Sequence, residues 1–227
     1  MIHPIRRTLP LLLALGTLGA HAQHYLKDHK VSISAGATGQ FTTTLESAAE
    51  TSFANAPLPV AGTYPVTVGN KQQFTTNSLG LLTSLQIRPV TWAGMEFNYG
   101  FTHYSERYTF NYLNTSTPTA QQQVKIPVDT HEATAAYLVH PKHIPLQPFV
   151  AVGGGYIDFA PTNATNQWRG AGLLEVGLDA PVHWTHIGFR VEGRSLFYRA
   201  PNFYQPAIST LSWRVTTQPV LSTYYRF

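Results

Sequence analysis

Residues 187–197 read Ile-Gly-Phe-Arg-Val-Glu-Gly-Arg-Ser-Leu-Phe, and apolar and charged side chains alternate along most of this stretch. Because successive side chains of a β-strand point to opposite faces, a two-residue period predicts a strand with two unlike faces. Such a strand admits two arrangements: the apolar face meets lipid and the charged face lines an interior, or the apolar face packs in a protein core and the charged face meets water. The apolar phase holds Ile187, Phe189, Val191, Gly193 and Phe197, and the charged phase holds Arg190, Glu192 and Arg194.

Seven further segments have an alternating phase without charged residues, which predicts eight strands in total. The fifth of them is the least clear, because apolar residues occupy both of its phases. The positions predicted to face outward are Val31, Ile33, Ala35, Ala37, Gly39 and Phe41; Leu79, Leu81, Thr83, Leu85 and Ile87; Ala93, Met95, Phe97, Tyr99 and Phe101; Ala133, Ala135, Tyr137 and Val139; Phe149, Ala151, Gly153, Gly155 and Ile157; Gly172, Leu174, Val176, Leu178 and Ala180; and Leu221, Thr223, Tyr225 and Phe227.

The opposite phase carries five acidic and five basic residues. A soluble β-sandwich would have to bury these charges or expose the apolar, aromatic face, and burying unpaired ions costs several kcal/mol each. The lumen of a membrane barrel accommodates paired charges together with trapped water. The residues are Glu96, Glu132, Glu175, Asp179 and Glu192, against Arg88, Arg190, Arg194, Arg214 and Arg226.

Composition agrees with a membrane barrel. Charged residues make up 11% of the 227 residues, against about 25% in soluble domains, whereas aromatics reach 12%. A wall that faces lipid needs little charge, and it needs aromatic residues at both interfaces.

Two of the 15 basic residues, Arg6 and Arg7, belong to the N-terminal leader, which leaves 13 basic against 11 acidic residues and no basic run. Nucleic acid is therefore not expected as a partner.

The first 22 residues have the form of a signal peptide. Arg6 and Arg7 precede an apolar run over residues 9–20, and Ala20 and Ala22 provide the small-x-small site for cleavage before Gln23. Residues 1–22 are thus expected to be removed. Residues 23–227 are expected to form one all-β domain, a transmembrane antiparallel barrel of about eight strands in up-and-down meander order, located in the outer membrane.

The connections alternate in length, as they do in outer-membrane barrels. Short segments at 88–92, 140–146 and 181–186 predict periplasmic turns, and longer polar segments at 43–73, 105–127, 159–168 and 199–211 predict external loops. Both termini then lie in the periplasm, and the strand count is even. A ten-stranded barrel is the near alternative, because the first loop is long enough to hold another hairpin.

The mature chain resembles the small OmpA-like outer-membrane barrel domains. The closing residues 224–227, Tyr-Tyr-Arg-Phe, are similar to the C-terminal signal of that family, with Tyr225 and Phe227 in alternating positions. Residues 148–156 resemble its glycine-rich fifth strand, and residues 177–179 and 189–194 resemble its sixth and seventh strands. The resemblance implies recognition of Tyr225 and Phe227 by the outer-membrane assembly machinery.

The sequence favours a structural or surface-interaction role, in a monomer without catalytic, cofactor or metal residues. We expect Glu96, Glu175 and Glu192 to pair with Arg190, Arg194 and Arg214 and to close the lumen, with Glu132 and Asp179 in the same network. Outer-membrane lipid is the expected partner, and the long loops are candidates for an unknown surface ligand.

Three other functions remain open. A narrow solute passage would use the same charged interior. A lipid-active barrel enzyme would use a set such as His103, Ser105 and Glu106, or His131 and Glu132, although neither set has a third orienting residue. A zinc site would use imidazoles on predicted periplasmic turns and the N-terminal tail. These imidazoles belong to His140, His143, His183, His186, His24 and His29.

Overall fold

The computed structural model describes residues 31–44, 51–53, 66–112, 122–141, 146–182, 186–204 and 212–227. The predicted signal peptide, with its cleavage residues Ala20 and Ala22, lies outside these ranges, as do His24, His29, His143 and His183. Within the described ranges, no helix is long and apolar enough to cross a membrane.

Strands make up nearly all of the described chain. Their bounds are β1 Val31–Thr44, β2 Thr51–Phe53, β3 Val66–Thr75, β4 Ser78–Val90, β5 Ala93–Tyr112, β6 Gln122–Val139, β7 Gln147–Pro161, β8 Gln167–Pro181, β9 Ile187–Arg199 and β10 Trp213–Arg226.

Eight of these strands form a closed antiparallel ring, β1-β4-β5-β6-β7-β8-β9-β10, in which every strand pairs with the next. The last strand returns to the first, and the β1–β10 register runs from Ser32–Arg226 to Thr44–Arg214. A closed ring leaves no strand edge unpaired within the barrel. The prediction of an eight-stranded barrel in meander order is therefore confirmed.

The first long loop does contain a hairpin, but it adds no strand to the ring. β2 pairs with β3. β3 pairs with the same edge of β5 as β4 does, but nearer the C-terminal end of β5. Only Thr76 and Asn77 separate β3 from β4, so the two strands together form one wall of the barrel. The ten-stranded alternative fails for this reason.

The positions predicted to face outward do so in seven of the eight strands, with one exception at the start of β5. Along β9, Phe189 and Val191 are exposed while Arg190 and Glu192 are buried, as the alternation requires. Ala93, the first residue of β5, is buried although it lies in the outward phase. Other exposed large apolar residues include Leu81, Met95, Phe97, Tyr137, Leu174, Val176, Leu178 and Leu221.

The phase predicted for the fifth wall, β7, is wrong. Phe149 and Ala151 were expected outside, but they are 2% and 1% exposed, whereas Val150 and Val152 are 53% and 62% exposed. Apolar side chains occupy both phases of this strand, so alternation alone did not determine its faces. The interior next to β7 is apolar, and Phe149 belongs to its cluster of buried residues.

Two inward glycines of β7 allow the close approach of β6. A Cβ atom built on Gly153 would overlap the carbonyl oxygen of Ala135, and one on Gly155 would overlap that of Ala133. Only a residue without a side chain fits at these positions. The glycine run of residues 153–155 therefore has a packing role in the wall.

Candidate functional site

Three buried arginines organise the interior of the barrel. Arg190, in the first group, lies on β9 directly opposite Asp179 of β8, and its Nε donates to Asp179 Oδ1 at 2.6 Å. Its Nη1 donates across the lumen to Glu96 Oε2 of β5, also at 2.6 Å, and lies 3.7 Å from Glu192 Oε2. In an eight-stranded ring β5 and β9 are diametrically opposite, so the Arg190–Glu96 pair spans the lumen.

The second group surrounds Arg194, which lies four residues further along β9 on the same inward face. Its Nε donates to Glu175 Oε1 of β8 at 2.7 Å, and its Nη2 donates to Glu132 Oε1 of β6 at 2.6 Å. Arg194 is fully buried, and its Nη1 donates to Gln218 Oε1 at 2.9 Å. The Gln218 amide in turn donates to Glu132 Oε2, which joins β6, β9 and β10.

The third group lies toward the long-loop end. Arg214 of β10 makes two parallel hydrogen bonds to Glu106 of β5, at 2.6 and 2.9 Å, and both side chains are fully buried. Tyr104 donates to Glu106 Oε1 at 3.1 Å, and the Gln73 amide donates to Glu106 Oε2 at 3.2 Å. A buried carboxylate with this many donors is well compensated for its lost water.

The pairing differs from the expected one in two respects. Arg214 was assigned to one of three glutamates, but it pairs with Glu106, a residue that the sequence interpretation had placed on the outer rim. Glu106 has the same phase on β5 as Glu96, ten residues away, so a longer strand would have predicted it inside. Among the described residues, Arg88 and Arg226 form no ion pair with a carboxylate, and both donate to Gln147 Oε1 at the short-turn end.

Apolar and aromatic side chains fill the space between and above the ion pairs. Leu82, Leu138 and Leu173 are buried inside, and the Arg190 guanidinium lies 4.6 Å from the centre of the Phe149 ring. At the long-loop end, the buried ring of Phe203 packs in the same cluster as Phe159 and Tyr198. The interior of an eight-stranded barrel has room for little more than its own side chains.

The two residue sets considered for an enzyme do not come together. Glu106 and Glu132 point inward to Arg214 and Arg194, whereas His103 and His131 lie on the outward face. His103 Nδ1 instead lies 2.6 Å from Asp129 Oδ1, and His131 Nδ1 lies 2.8 Å from the Tyr99 hydroxyl. The alternating pleat places consecutive residues on opposite faces, which separates both sets.

The two described histidines that were predicted to lie on periplasmic turns differ in their surroundings. His140 is buried at the end of β6, where its backbone N–H donates to the Trp92 carbonyl at 2.7 Å. Burial, together with the neighbouring Arg88, lowers the pKa of His140 from its ordinary value near 6.5 to about 4. His186 is exposed and stacks on Tyr225. Among the described residues no group of three or more histidine, cysteine or acidic side chains has a metal-binding arrangement.

The two predicted C-terminal signal residues lie on the outward face. Tyr225 and Phe227 are partly exposed, and their rings meet edge to face with centres 5.1 Å apart. The Phe227 N–H donates to the Val31 carbonyl at 2.9 Å, so the end of the chain is fixed against the first strand. The pair thus forms part of the wall at the seam of the ring.

Comparison with solved structures supports the class of fold. The crystal structure of Neisserial surface protein A has a TM-score of 0.53 at 9% identity, with 87% of this chain and 97% of that chain covered. OprG, an outer membrane protein of Pseudomonas aeruginosa, has a TM-score of 0.49 at 12% identity, with 87% and 95% covered. No protein-family model and no curated protein matches the sequence. The chain is thus a closed eight-stranded antiparallel β-barrel of the architecture of Neisserial surface protein A.

Proposed function

We propose that this protein is an outer-membrane barrel with a closed interior and a structural or surface-interaction role. The apolar band of the outward face, which includes Phe97, Val191 and Leu221, supports a position in lipid, because each exposed charge near the bilayer centre of such a barrel costs about 2–4 kcal/mol. The buried polar side chains lie in the lumen instead, where they form ion pairs and hydrogen bonds with one another. The long connections at one end then form the external surface, and the short turns face the periplasm.

The single observation that carries the closed interior is the pair of Arg190 and Glu96 on diametrically opposite strands, 2.6 Å apart. A solute that crosses the lumen would have to separate these two charges and then those around Arg194 and Arg214. Separating a buried ion pair without replacing its hydrogen bonds costs several kcal/mol. The arrangement therefore favours a plug over a passage.

Electrical recording tests this proposal directly. The purified protein, refolded in detergent, would be inserted into planar bilayers, with a general porin as the positive control and detergent alone as the negative control. We expect heat-modifiable gel mobility, which reports a folded barrel, together with no steady conductance above the detergent background. Stable single-channel steps from the folded protein would overturn the closed interior and establish the narrow passage.

Absence of catalysis is part of the same proposal. The histidines and acidic residues considered for a lipid-active enzyme lie on opposite faces of the wall, so they do not converge on a substrate. The test is lipid A analysis by mass spectrometry, comparing cells with and without the gene. A reproducible loss or gain of an acyl chain that depends on the gene would overturn this part of the proposal.

Biogenesis is expected to follow the route of outer-membrane proteins. We propose export by residues 1–22, cleavage after Ala22, and recognition of Tyr225 and Phe227 by the assembly machinery. The position of both aromatic rings on the outward face supports this role, because they are accessible from outside the closing barrel. Removal of Phe227 is expected to lower the yield of assembled barrel in the membrane more than its stability after refolding in vitro.

A further inference from the structure

Two cations lie directly opposite each other on the outer wall. Arg107 of β5 and Lys125 of β6 are register partners, and both side chains are exposed on the outward face. Like charges at directly opposed positions of an antiparallel pair repel each other and destabilise it. An anion held between the two side chains would convert this repulsion into attraction.

No acidic residue neutralises the pair from the surrounding ladder. The adjacent rungs on the same face are Ser105–Pro127 and Thr109–Gln123, and on the other side Arg107 faces Phe74 of β3. Within the described part of the chain, neither cation forms an ion pair. The connection over residues 113–121 has no acidic residue in its sequence.

Asp129, a carboxylate on the same face of β6, contacts a histidine of β5. Asp129 lies four residues along β6 from Lys125, and it is bound to His103 at 2.6 Å. The two cations form a separate positive site, which we call the Arg107–Lys125 site, beyond the hydrogen-bonded His103–Asp129 pair.

The position of the site along the barrel axis indicates which kind of anion can reach it. Along β5, the outward residues Met95, Phe97, Tyr99 and Phe101 are apolar or aromatic, and His103 is the first with a basic side chain. At a tilt of about 40° each residue rises about 2.5 Å along the barrel axis, which puts Arg107 about 10 Å beyond His103. Long cationic side chains reach back along the wall toward an interface. This is the level of lipid headgroups when the apolar band lies in the hydrocarbon core.

The strands around the site leave it open to that layer. The β6–β7 ladder ends at the pair Val128–Pro161, whereas the β5–β6 ladder continues to Phe110–Gln122. The two strands thus project beyond their neighbour β7, with Tyr108 buried on the inner side and Arg107 exposed on the outer side. The outer side presents both cations to the leaflet that surrounds the long-loop end.

We propose that the Arg107–Lys125 site binds the phosphate of an anionic lipid headgroup in the external leaflet. A guanidinium donates two hydrogen bonds to one phosphate, and an ammonium beside it supplies a second charge. This inference rests on the proposed function, since it requires the barrel to span a membrane with the long loops outside. The occupant is a lipid of the surrounding leaflet, and its phosphate is the group recognised.

Lipid retention in nanodiscs tests the site. The full barrel would be reconstituted with lipid A at a low mole fraction in a phosphatidylcholine background, and the retained lipid A would be counted by native mass spectrometry. The parallel arms use lipid A without its phosphates, and lipid A in the presence of millimolar inorganic phosphate. Variants R107Q/K125Q and R107K/K125R form a matched pair, because only the first removes charge.

The expected result is selective retention of phosphorylated lipid A by the wild type and by R107K/K125R. Loss of both charges should weaken retention about thirtyfold, since each cation near an anionic surface strengthens binding by about fivefold. Equal retention of dephosphorylated lipid A, or unchanged retention by R107Q/K125Q, would overturn the site. Displacement by inorganic phosphate would show that a free anion, and not the lipid, is its ligand.

Heat-modifiable mobility and protease protection, measured on the same nanodiscs, distinguish failure of the lipid site from failure of the proposed function. A barrel that inserts normally but shows no selective retention contradicts only the lipid site. A barrel that fails to insert with every lipid contradicts the proposed function itself.

Discussion

Arg214 and Glu106 face each other inside the barrel through two parallel hydrogen bonds, although 108 residues separate them in the chain. Neither side chain is accessible to solvent. The geometry uses the planar fork of the guanidinium against both carboxylate oxygens, which an ammonium cannot reproduce. The pair is therefore sensitive to the shape of the cation as well as to its charge.

The substitution Arg214→Lys tests this sensitivity. The lysine keeps the charge but loses one of the two hydrogen bonds to Glu106, so we expect a loss of about 2 kcal/mol in the free energy of unfolding. Urea unfolding in lipid vesicles, followed by tryptophan fluorescence, measures the change. The exposed Arg107→Lys is the matched control and should change stability by less than about 0.5 kcal/mol. Equal effects of both substitutions would contradict the two-bond geometry.

Arg190→Ala and Glu96→Ala, singly and together, test the pair that spans the lumen. Each single substitution leaves a buried partner without its counter-charge, and we expect a cost of about 3–5 kcal/mol where the site is dry. The double variant should lose clearly less than the sum, as measured by urea unfolding in detergent micelles. Arg226→Ala provides the control, since Arg226 is only partly buried and pairs with no carboxylate among the described residues. Additive losses would mean that the two charges are solvated independently.

Gly153→Ala tests the close contact between β6 and β7. The new methyl group would overlap the Ala135 carbonyl oxygen, and backbone cannot move aside as a side chain does. We expect a loss of at least about 2 kcal/mol or failure to refold. Gly193→Ala adds the same methyl group on the outer wall, where no atom lies within 4 Å of the new Cβ. The gel-mobility assay should show a folded barrel for Gly193→Ala, and an equally folded, equally stable Gly153→Ala would refute the steric argument.

His140 should make the barrel sensitive to mild acid. Its pKa of about 4 in the folded chain lies below the ordinary 6.5, so the unfolded chain takes up the proton first as the pH falls. The contribution of neutral His140 to the free energy of unfolding is complete above pH 6.5. It is lost as the pH falls toward 4, by about 2 kcal/mol at pH 4.5. His140→Phe removes this dependence and retains a ring beside Phe149, whose centre lies 5.7 Å from that of His140.

Urea midpoints of both proteins between pH 7.5 and pH 4.5 measure the effect. The stability of the wild type relative to His140→Phe should fall as the pH is lowered, while carboxylates that titrate in both proteins cancel in the difference. Parallel curves over the whole range would show that His140 takes up its proton equally in both states.

Alternation was sufficient to predict the barrel wherever one phase excluded charge. The β9 pattern of Phe189, Arg190, Val191 and Glu192 assigns both faces without ambiguity, and the structure agrees. β7 lacked this information because its two phases are equally apolar around the glycine run. Its faces depend on the interior cluster that surrounds Phe149, which forms only after the neighbouring strands have paired.

The charged interior was predicted in kind but not in its full pairing. Glu96 was expected to pair with one of three arginines, Arg190, Arg194 or Arg214, whereas Arg214 with Glu106 was missed because the predicted third strand was too short. β5 extends to Tyr112, eleven residues beyond the last outward position predicted for it, Phe101. Which arginine meets which glutamate depends on ring size, tilt and register, and local sequence does not contain these quantities.

The Arg214–Glu106 pair also has a consequence for the order in which the ring is completed. Arg214 belongs to the final strand, which closes the ring against β1. Glu106 lies on β5, much earlier in the chain. Until the seam between β1 and β10 is joined, the two charges have no means of meeting. Much of the electrostatic stabilisation at the long-loop end therefore arises only when β10 pairs with β1. The pairs Arg190–Asp179 and Arg194–Glu175, by contrast, join the neighbouring strands β8 and β9, so closure of the ring adds the Arg214–Glu106 pair to an interior that is already partly paired.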